Sequence, residues 1–212
     1  MASAIIHLCI AKKINETLKV NEKPFILGSI APDLSKQVGE SKKNSHFLTT
    51  KKNDVPNIKE FLNKYESSLN NPFNLGYFVH LYTDKLWFDE FLRSRSFENC
   101  IKLLDGSTPM LTEEEIRRLI YNDYTNLNIS LIDEYELNLS LFYEDLIIPN
   151  TTIDEIAVDK LQLLIDKMGI IIMNSKEEKS YVFDIVAVNE FIEYCSKKII
   201  RKISEYNIKV HQ

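Results

Sequence analysis

Apolar residues recur along this chain at helical spacing and almost nowhere at alternate positions. Ile6, Ile10 and Ile14 repeat every four residues behind Ser3, a ready cap, and predict a helix from Ser3 to about Leu18. Asn21 to Pro24 predicts a break, and Phe25 to Ile30 a short apolar turn or helix closed by Gly28, Ser29 and Pro32. Residues 35–54 are polar around a small apolar anchor, His46, Phe47 and Leu48, and predict a long loop of the kind that usually carries function in a compact domain. Ile58, Phe61, Leu62 and Tyr65 predict a helix from about Val55 or Pro56 to Leu69. Asn71 and Pro72 then open the most apolar stretch, NPFNLGYFVHLYTDKLWFDEFLR, Asn71 to Arg93, which has the density of a buried helix.

Beyond it the pattern predicts a helix from about Phe97 to Leu104, then a turn at Asp105, Gly106 and Ser107. Thr112 followed by Glu115 reads as a capping box, opening a helix through Ile116, Leu119, Ile120 and Tyr124. Ile129 to Leu146 and Thr152 to Met168 read as helices, the second with a capping box at Thr152 and Glu155. Gly169 either ends that helix or lies within it, and Gly169 to Met173 is the one candidate strand, without an obvious partner. A last helix is predicted from about Phe183 or Asp184 to Tyr206. The expected fold is therefore all-α, a single-domain bundle of about eight helices spanning residues 1–212.

Composition narrows the class without changing the fold. Hydrophobic residues at 44% and charged residues at 27% are those of an ordinary globular chain. A net charge of −5, with lysines dispersed among acids, argues against nucleic acid as a partner. No apolar run is long enough for a transmembrane segment, and the first one, Ala4 to Ala11, contains His7 and lacks a basic segment before it. A cytoplasmic location is expected. Cys9, Cys100 and Cys195 are odd in number and never paired as C-x-x-C, so buried free thiols are expected in place of disulfides or a zinc knuckle.

Chemistry enters through the histidines. His80 and Asp84 are four residues apart in the central helix and share one face, with Gly76 a turn before and Trp87, Phe88 and Phe91 after. An imidazole and a carboxylate on such a stripe are costly to bury unless something pairs with them, and a metal ion does so. Of the other histidines, His7 lies near the buried side of the first helix, His46 in the loop anchor, and His211 in the terminal tail. With Asp33, which follows Pro32, the candidate ligands are His7, Asp33, His46, His80 and Asp84. Three imidazoles and two carboxylates suit zinc, and manganese or iron as well. Five ligands exceed one tetrahedral ion; two ions sharing a carboxylate use them all and leave positions for water or substrate.

In this order the residues resemble the zinc-dependent phospholipase C family, which is related in fold to the P1-type nucleases. The resemblance lies in His7 on the first helix, the string FILGSIAPD ending at Asp33, SHF at His46, and GYFVHLYTD carrying His80 and Asp84. It covers about the first ninety residues. It implies a helical fold with a metal cluster at the bottom of a cleft between helices. Asp33, His46, His80 and Asp84 would hold one zinc, and Asp84 would bridge to a second held also by His7. Secreted members complete that second site with a processed amino terminus. They also carry a third zinc on two more histidines and a glutamate, whereas this chain has no histidine between His80 and His211, so a full trinuclear site is not expected. Asp89 and Glu90 stand near the place of a missing ligand, although solvated helix acids are the simpler account of both.

The expected activity is hydrolysis of a phosphate ester by water activated at two metal ions, with Asp33 as ligand and as the catalytic group that assists deprotonation. The substrate would be a small phosphate ester or a phospholipid headgroup. Tyr77, Tyr82, Trp87 and Phe88 are candidates for the cleft wall, with core packing as the alternative for each. Two other classes stand beside it: a metal-stabilised helical scaffold or binding protein without turnover, and a helical interaction protein in which the five residues coincide by chance. The second half, Phe97 to Tyr206, is expected to supply packing and few ligands, with Glu144 and Asp145 the acids to watch.

Overall fold

A computed structural model describes residues 2–48, 55–97, 99–144, 153–174 and 179–208. Ten α-helices lie among them: α1 (Ala4–Leu18), α2 (Glu22–Gly28), α3 (Leu34–Gln37), α4 (Lys42–Ser45), α5 (Ile58–Tyr65), α6 (Pro72–Leu86), α7 (Glu113–Glu134), α8 (Ser140–Tyr143), α9 (Leu161–Asn174) and α10 (Ile185–Glu205). The bundle is all-α apart from one short hairpin, β1 (Ser96–Phe97) with β2 (Cys100–Ile101). No described helix is long and apolar enough to cross a membrane.

Local chemistry sets the helix ends. The Ser3 hydroxyl accepts from Ile6 N at 3.2 Å, and Asn71 Oδ1 accepts from Phe73 N at 2.9 Å, with Pro72 in the first turn of α6. The Thr112–Glu115 capping box forms, and Asp184 caps α10. Helix α6 runs through the middle of the molecule, where only Pro72 and Lys85 keep appreciable exposure. It crosses α2 backbone to backbone. A Cβ on Gly28 would sit 2.0 Å from Phe73 O, and one on Gly76 would sit 2.1 Å from Phe25 O, so neither glycine can carry a side chain. After Leu86 the helix widens into a π-turn, Trp87–Leu92, and Trp87 enters an aromatic cluster with Phe91, Tyr124, Phe183 and Phe191.

The second half of the chain wraps this core with polar clasps. Asp123 of α7 is fully buried, and its carboxylate accepts backbone N–H groups from Tyr181, Val182 and Phe183 at 2.8, 2.6 and 3.1 Å. Lys12 Nζ donates to Tyr135 O at 2.7 Å and Glu136 O at 3.2 Å, satisfying carbonyls left over at the end of α7.

Several elements differ from the sequence expectation. The predicted helix Phe97–Leu104 is the β1–β2 hairpin, paired Ser96 with Ile101 and Phe97 with Cys100. Leu103 N bonds to Ser107 O across the following turn and Leu104 N to the distant Tyr181 O, partners that apolar spacing does not show. The two helices predicted on either side of residue 128 are one, α7, ending at Glu134 ahead of Glu136 at positive φ. Thr152 lies outside the described residues. Glu155 caps nothing; its carboxylate takes Lys64 Nζ at 2.7 Å and Tyr65 OH at 2.6 Å, and α9 begins six residues later at Leu161. That helix runs through Gly169, over which Tyr143 packs, so Gly169 to Met173 is helical and not a strand. The loop 35–54 contains α4 and part of α3, and its residues 49–54 lie outside the described set. Asn21 to Pro24 is the cap and first turn of α2.

The glycine crossing gives a direct test. Gly76→Ala should destabilise the protein by about 3 kcal/mol or more, because backbone atoms of α2 must move. Gly169→Ala meets only the movable Tyr143 hydroxyl at 2.8 Å and should fall within about 1 kcal/mol of the parent. Equal denaturant midpoints for the two variants would contradict the crossing.

Candidate metal centre

Four elements bring the candidate residues together. Helix α2 ends at Gly28, and the next carbonyl, Ser29 O, is free of helix partners and accepts His80 Nδ1 at 2.8 Å. A 3-10 turn, Ala31–Asp33, follows with Pro32 inside it and delivers Asp33. Helix α4 delivers His46 as its C-terminal cap, and α1 delivers His7. Helix α6 delivers His80 and Asp84 from one face.

The five side chains form one cluster. His7 lies stacked on His80, with ring centroids 3.8 Å apart and planes 10° from parallel. His7 Nε2 stands 3.3 Å from Asp84 Oδ1, out of line for a hydrogen bond. His80 Nε2 and His46 Nε2 face each other at 3.2 Å. Asp84 Oδ2 is 3.6 Å from His80 Nε2 and 3.7 Å from His46 Nε2, and Asp33 Oδ1 is 3.7 Å from His46 Nε2. Two overlapping triads that could hold an ion result, His7, His80 and Asp84, and Asp33, His46 and His80. Bonds of about 2.1 Å at tetrahedral angles would place ligand atoms about 3.4 Å apart, in the range of these separations.

Outer partners fix which nitrogen faces inward. Ser29 O can only accept, so His80 Nδ1 carries the proton and Nε2 presents its lone pair to the cluster. His46 Nδ1 lies 2.9 Å from Ser45 Oγ, itself 2.9 Å from Ser35 Oγ, which donates to Pro32 O at 3.2 Å. With that hydroxyl chain directed toward Pro32 O, Ser45 Oγ accepts from His46 Nδ1, and His46 Nε2 is a second inward lone pair. Two lone pairs at 3.2 Å repel unless a proton or a cation lies between them. Among the described residues, both ring nitrogens of His7 and Asp84 Oδ2 are buried without a hydrogen-bond partner. Orphaned atoms of this kind are rare in native cores and fit the coordination of a cation.

Charge is arranged to match. Burial would raise the Asp33 carboxyl, but the Lys42 ammonium, with smaller help from the imidazoles, holds it well below the usual carboxylate range. Burial acts the same way on Asp84, and the adjacent His7, with His80, overcomes it. Asp84 Oδ1 also accepts Ala2 N at 2.8 Å. Burial pushes His46 down to about 4 against the upward pull of Asp33 and Asp84, and burial together with His7 pushes His80 well below its ordinary value. At neutral pH both carboxylates are therefore ionised and both of these imidazoles neutral, the protonation states a metal needs.

His7, His46, His80 and Asp84 are at most 1% exposed, and among the described residues the edge open to solvent is Asp33, whose side chain is 15% exposed beside Lys42 at 19%. Neither of the described cavities opens over the cluster. Cavities of about 810 and 730 Å³ lie elsewhere, and none of the five residues lines either. Tyr77 and Trp87 are core residues, Tyr77 donating its hydroxyl to Ser45 O; Tyr82 lines the smaller cavity and Phe88 is half-buried. Asp89 pairs with Lys85 at 2.7 Å, and Glu90 with Lys198 and Tyr194 at 2.6 Å each, so both are surface acids. Glu144 is exposed, while Asp145 and His211 lie outside the described residues. Sequence reasoning missed Lys42, Ser29, Ser45 and the Ala2 amide. Only Lys42 left a signal, standing one helical turn before His46.

The sign of the acid response follows from these shifts. A histidine depressed from about 6.5 to about 4 takes up protons in the unfolded chain first, so metal-free protein should lose stability as pH falls below about 6.5, with the carboxylates adding to the loss below about pH 4. His46→Gln should flatten that slope by up to about 1.4 kcal/mol per pH unit. Thermal melts of chelated protein between pH 7 and 4.5 read this directly, and a wild-type melting temperature independent of pH would refute it.

Compared with protein-family models, with curated proteins and with solved structures, the chain matches none, so the case for this centre stands on its own residues.

Proposed function

We propose that this protein is a metal-dependent phosphoric ester hydrolase, phospholipase C-like in its ligand set. It would hold zinc, with manganese or iron as alternatives, at His7, Asp33, His46, His80 and Asp84. The observation that carries the reading is the convergence of two inward imidazole lone pairs on a buried, unpartnered carboxylate oxygen. A divalent cation bound there supplies Lewis acidity and lowers the pKa of water toward neutrality. Ser29 and the Ser45–Ser35 pair hold the imidazoles in the required tautomers. Asp33, at the solvent edge, is placed to accept a proton from water entering beside it. Asp84 divides its oxygens: Oδ2 faces His80 and His46, while Oδ1 faces His7 and the Ala2 amide. One carboxylate thus offers an oxygen to each side of the cluster, whereas His80, the member common to both triads, has a single inward lone pair and can serve one ion at a time. The oxygen already taken by an amide is the poorer ligand, so the Asp33, His46, His80 and Asp84 side should fill first. A small phosphate ester or phospholipid headgroup suits an opening confined to the Asp33 edge.

A second reading is favoured by the near-complete burial of four of the five side chains: ions that tie α1, the Ala31–Asp33 turn, α4 and α6 together and turn nothing over. The two readings share a metal and differ in turnover.

Metal analysis of protein purified without chelator should find one to two divalent ions per chain, in line with the two triads. Loaded protein should hydrolyse bis(p-nitrophenyl) phosphate. Metal without hydrolysis would leave the scaffold reading, and no metal would remove both. Asp84→Asn, close to aspartate in helix propensity, should keep its helical circular dichroism while losing one ion and about a hundredfold or more in rate. A folded Asp84→Asn variant with unchanged stoichiometry and rate would refute the bridging role.

A further inference from the structure

Among the described residues the cluster meets solvent at one edge, and that edge carries a positive charge. Lys42 Nζ donates to Asp33 Oδ1, the same oxygen that stands 3.7 Å from His46 Nε2. Lys42 and His46 lie one turn apart on α4, and the backbone bond from His46 N to Lys42 O, 2.9 Å long, ties the two together. With their side chains 19% and 15% exposed, Lys42 and Asp33 are the only members of the group that solvent reaches.

We propose that Lys42 is the anion-binding residue of this site and selects phosphate groups that approach the metal along the Asp33 edge. The inference rests on the metal-centre reading. An ion on Asp33 Oδ1 at about 2.1 Å would lie within about 5 Å of the ammonium nitrogen, a span that one phosphoryl oxygen touching both can cover. The charge arrangement points the same way. Among the described residues the group sets two carboxylates against one ammonium, and divalent ions held there would turn it into a positive field for a phosphate anion at a partly desolvated edge. The chemistry recognised is a phosphoryl group with at least one free anionic oxygen. A neutral ester would gain nothing from the ammonium.

The test is calorimetric titration of inorganic phosphate into metal-loaded protein at pH 7.5, with metal content measured on the same samples. Wild type should bind phosphate. Lys42→Met should keep its ions and bind phosphate about tenfold more weakly or worse, the loss of one charge-assisted hydrogen bond. Lys42→Arg should recover most of the affinity. Equal phosphate affinity in wild type and Lys42→Met overturns the proposal. So does absence of phosphate binding by loaded wild type, and so does a Lys42→Met variant that loses metal with its phosphate affinity, which would make Lys42 a support for Asp33 only. Turnover is not needed for this readout. Phosphate binding that depends on Lys42, without hydrolysis of bis(p-nitrophenyl) phosphate, would keep this inference and remove the hydrolase reading. Hydrolysis with phosphate binding indifferent to Lys42 would do the reverse.

Discussion

Two helices can touch through their backbones only where neither carries a side chain at the crossing, and Gly28 and Gly76 meet that condition for α2 and α6. The rest of the centre depends on this contact. It brings the end of α2 close enough for Ser29 O to hold His80, and the turn that follows then carries Asp33 to the same place. A larger residue at either glycine would push α2 away from α6 and separate Asp33 from His80 and Asp84. The two glycines thus act on the chemistry without touching it.

The second constraint is electrostatic. A site that gathers two ionised carboxylates, one of them fully buried, must compensate them, and among the described residues three groups do so in part: the Lys42 ammonium on Asp33, the Ala2 amide on Asp84 Oδ1, and His7 in close approach to the same oxygen. None reaches Asp84 Oδ2 or the space between the two Nε2 atoms. The remaining demand is localised at the point where an ion would touch the most ligands.

How much of this was legible in the sequence depends on the range of the forces involved. Helices α1, α6 and α10 follow from local apolar spacing and caps, and they are found within a few residues of expectation. The convergence of His7, Asp33, His46, His80 and Asp84 was readable because each residue type is expensive to bury alone and the five share a recognisable order. What failed was decided by distant partners. Glu155 has the spacing of a capping box but is claimed by Lys64 and Tyr65 from α5, ninety residues away in sequence. Cys100 and Ile101 have apolar character without period, and their pairing is set by Ser96 and Phe97 and extended by Met110. The closed character of the centre was also out of reach, since spacing alone does not say whether Tyr77 and Trp87 line a cleft or fill a core.

Among the described residues two aspartates are fully buried, Asp84 and Asp123, and they differ in how they are satisfied. Asp123 gives both oxygens to backbone amides of residues 181–183, so its charge is satisfied and nothing further is required at that place. Asp84 has the same side chain and the same burial, yet Oδ2 has no donor and three imidazoles stand around the carboxylate. Burial therefore does not tell the two carboxylates apart; unsatisfied hydrogen-bonding capacity does. The donors near Asp84 Oδ2 could have been amides, as one is at Oδ1 and as they are at Asp123. Inward lone pairs stand there instead, and lone pairs answer a carboxylate only through a positive charge held between them.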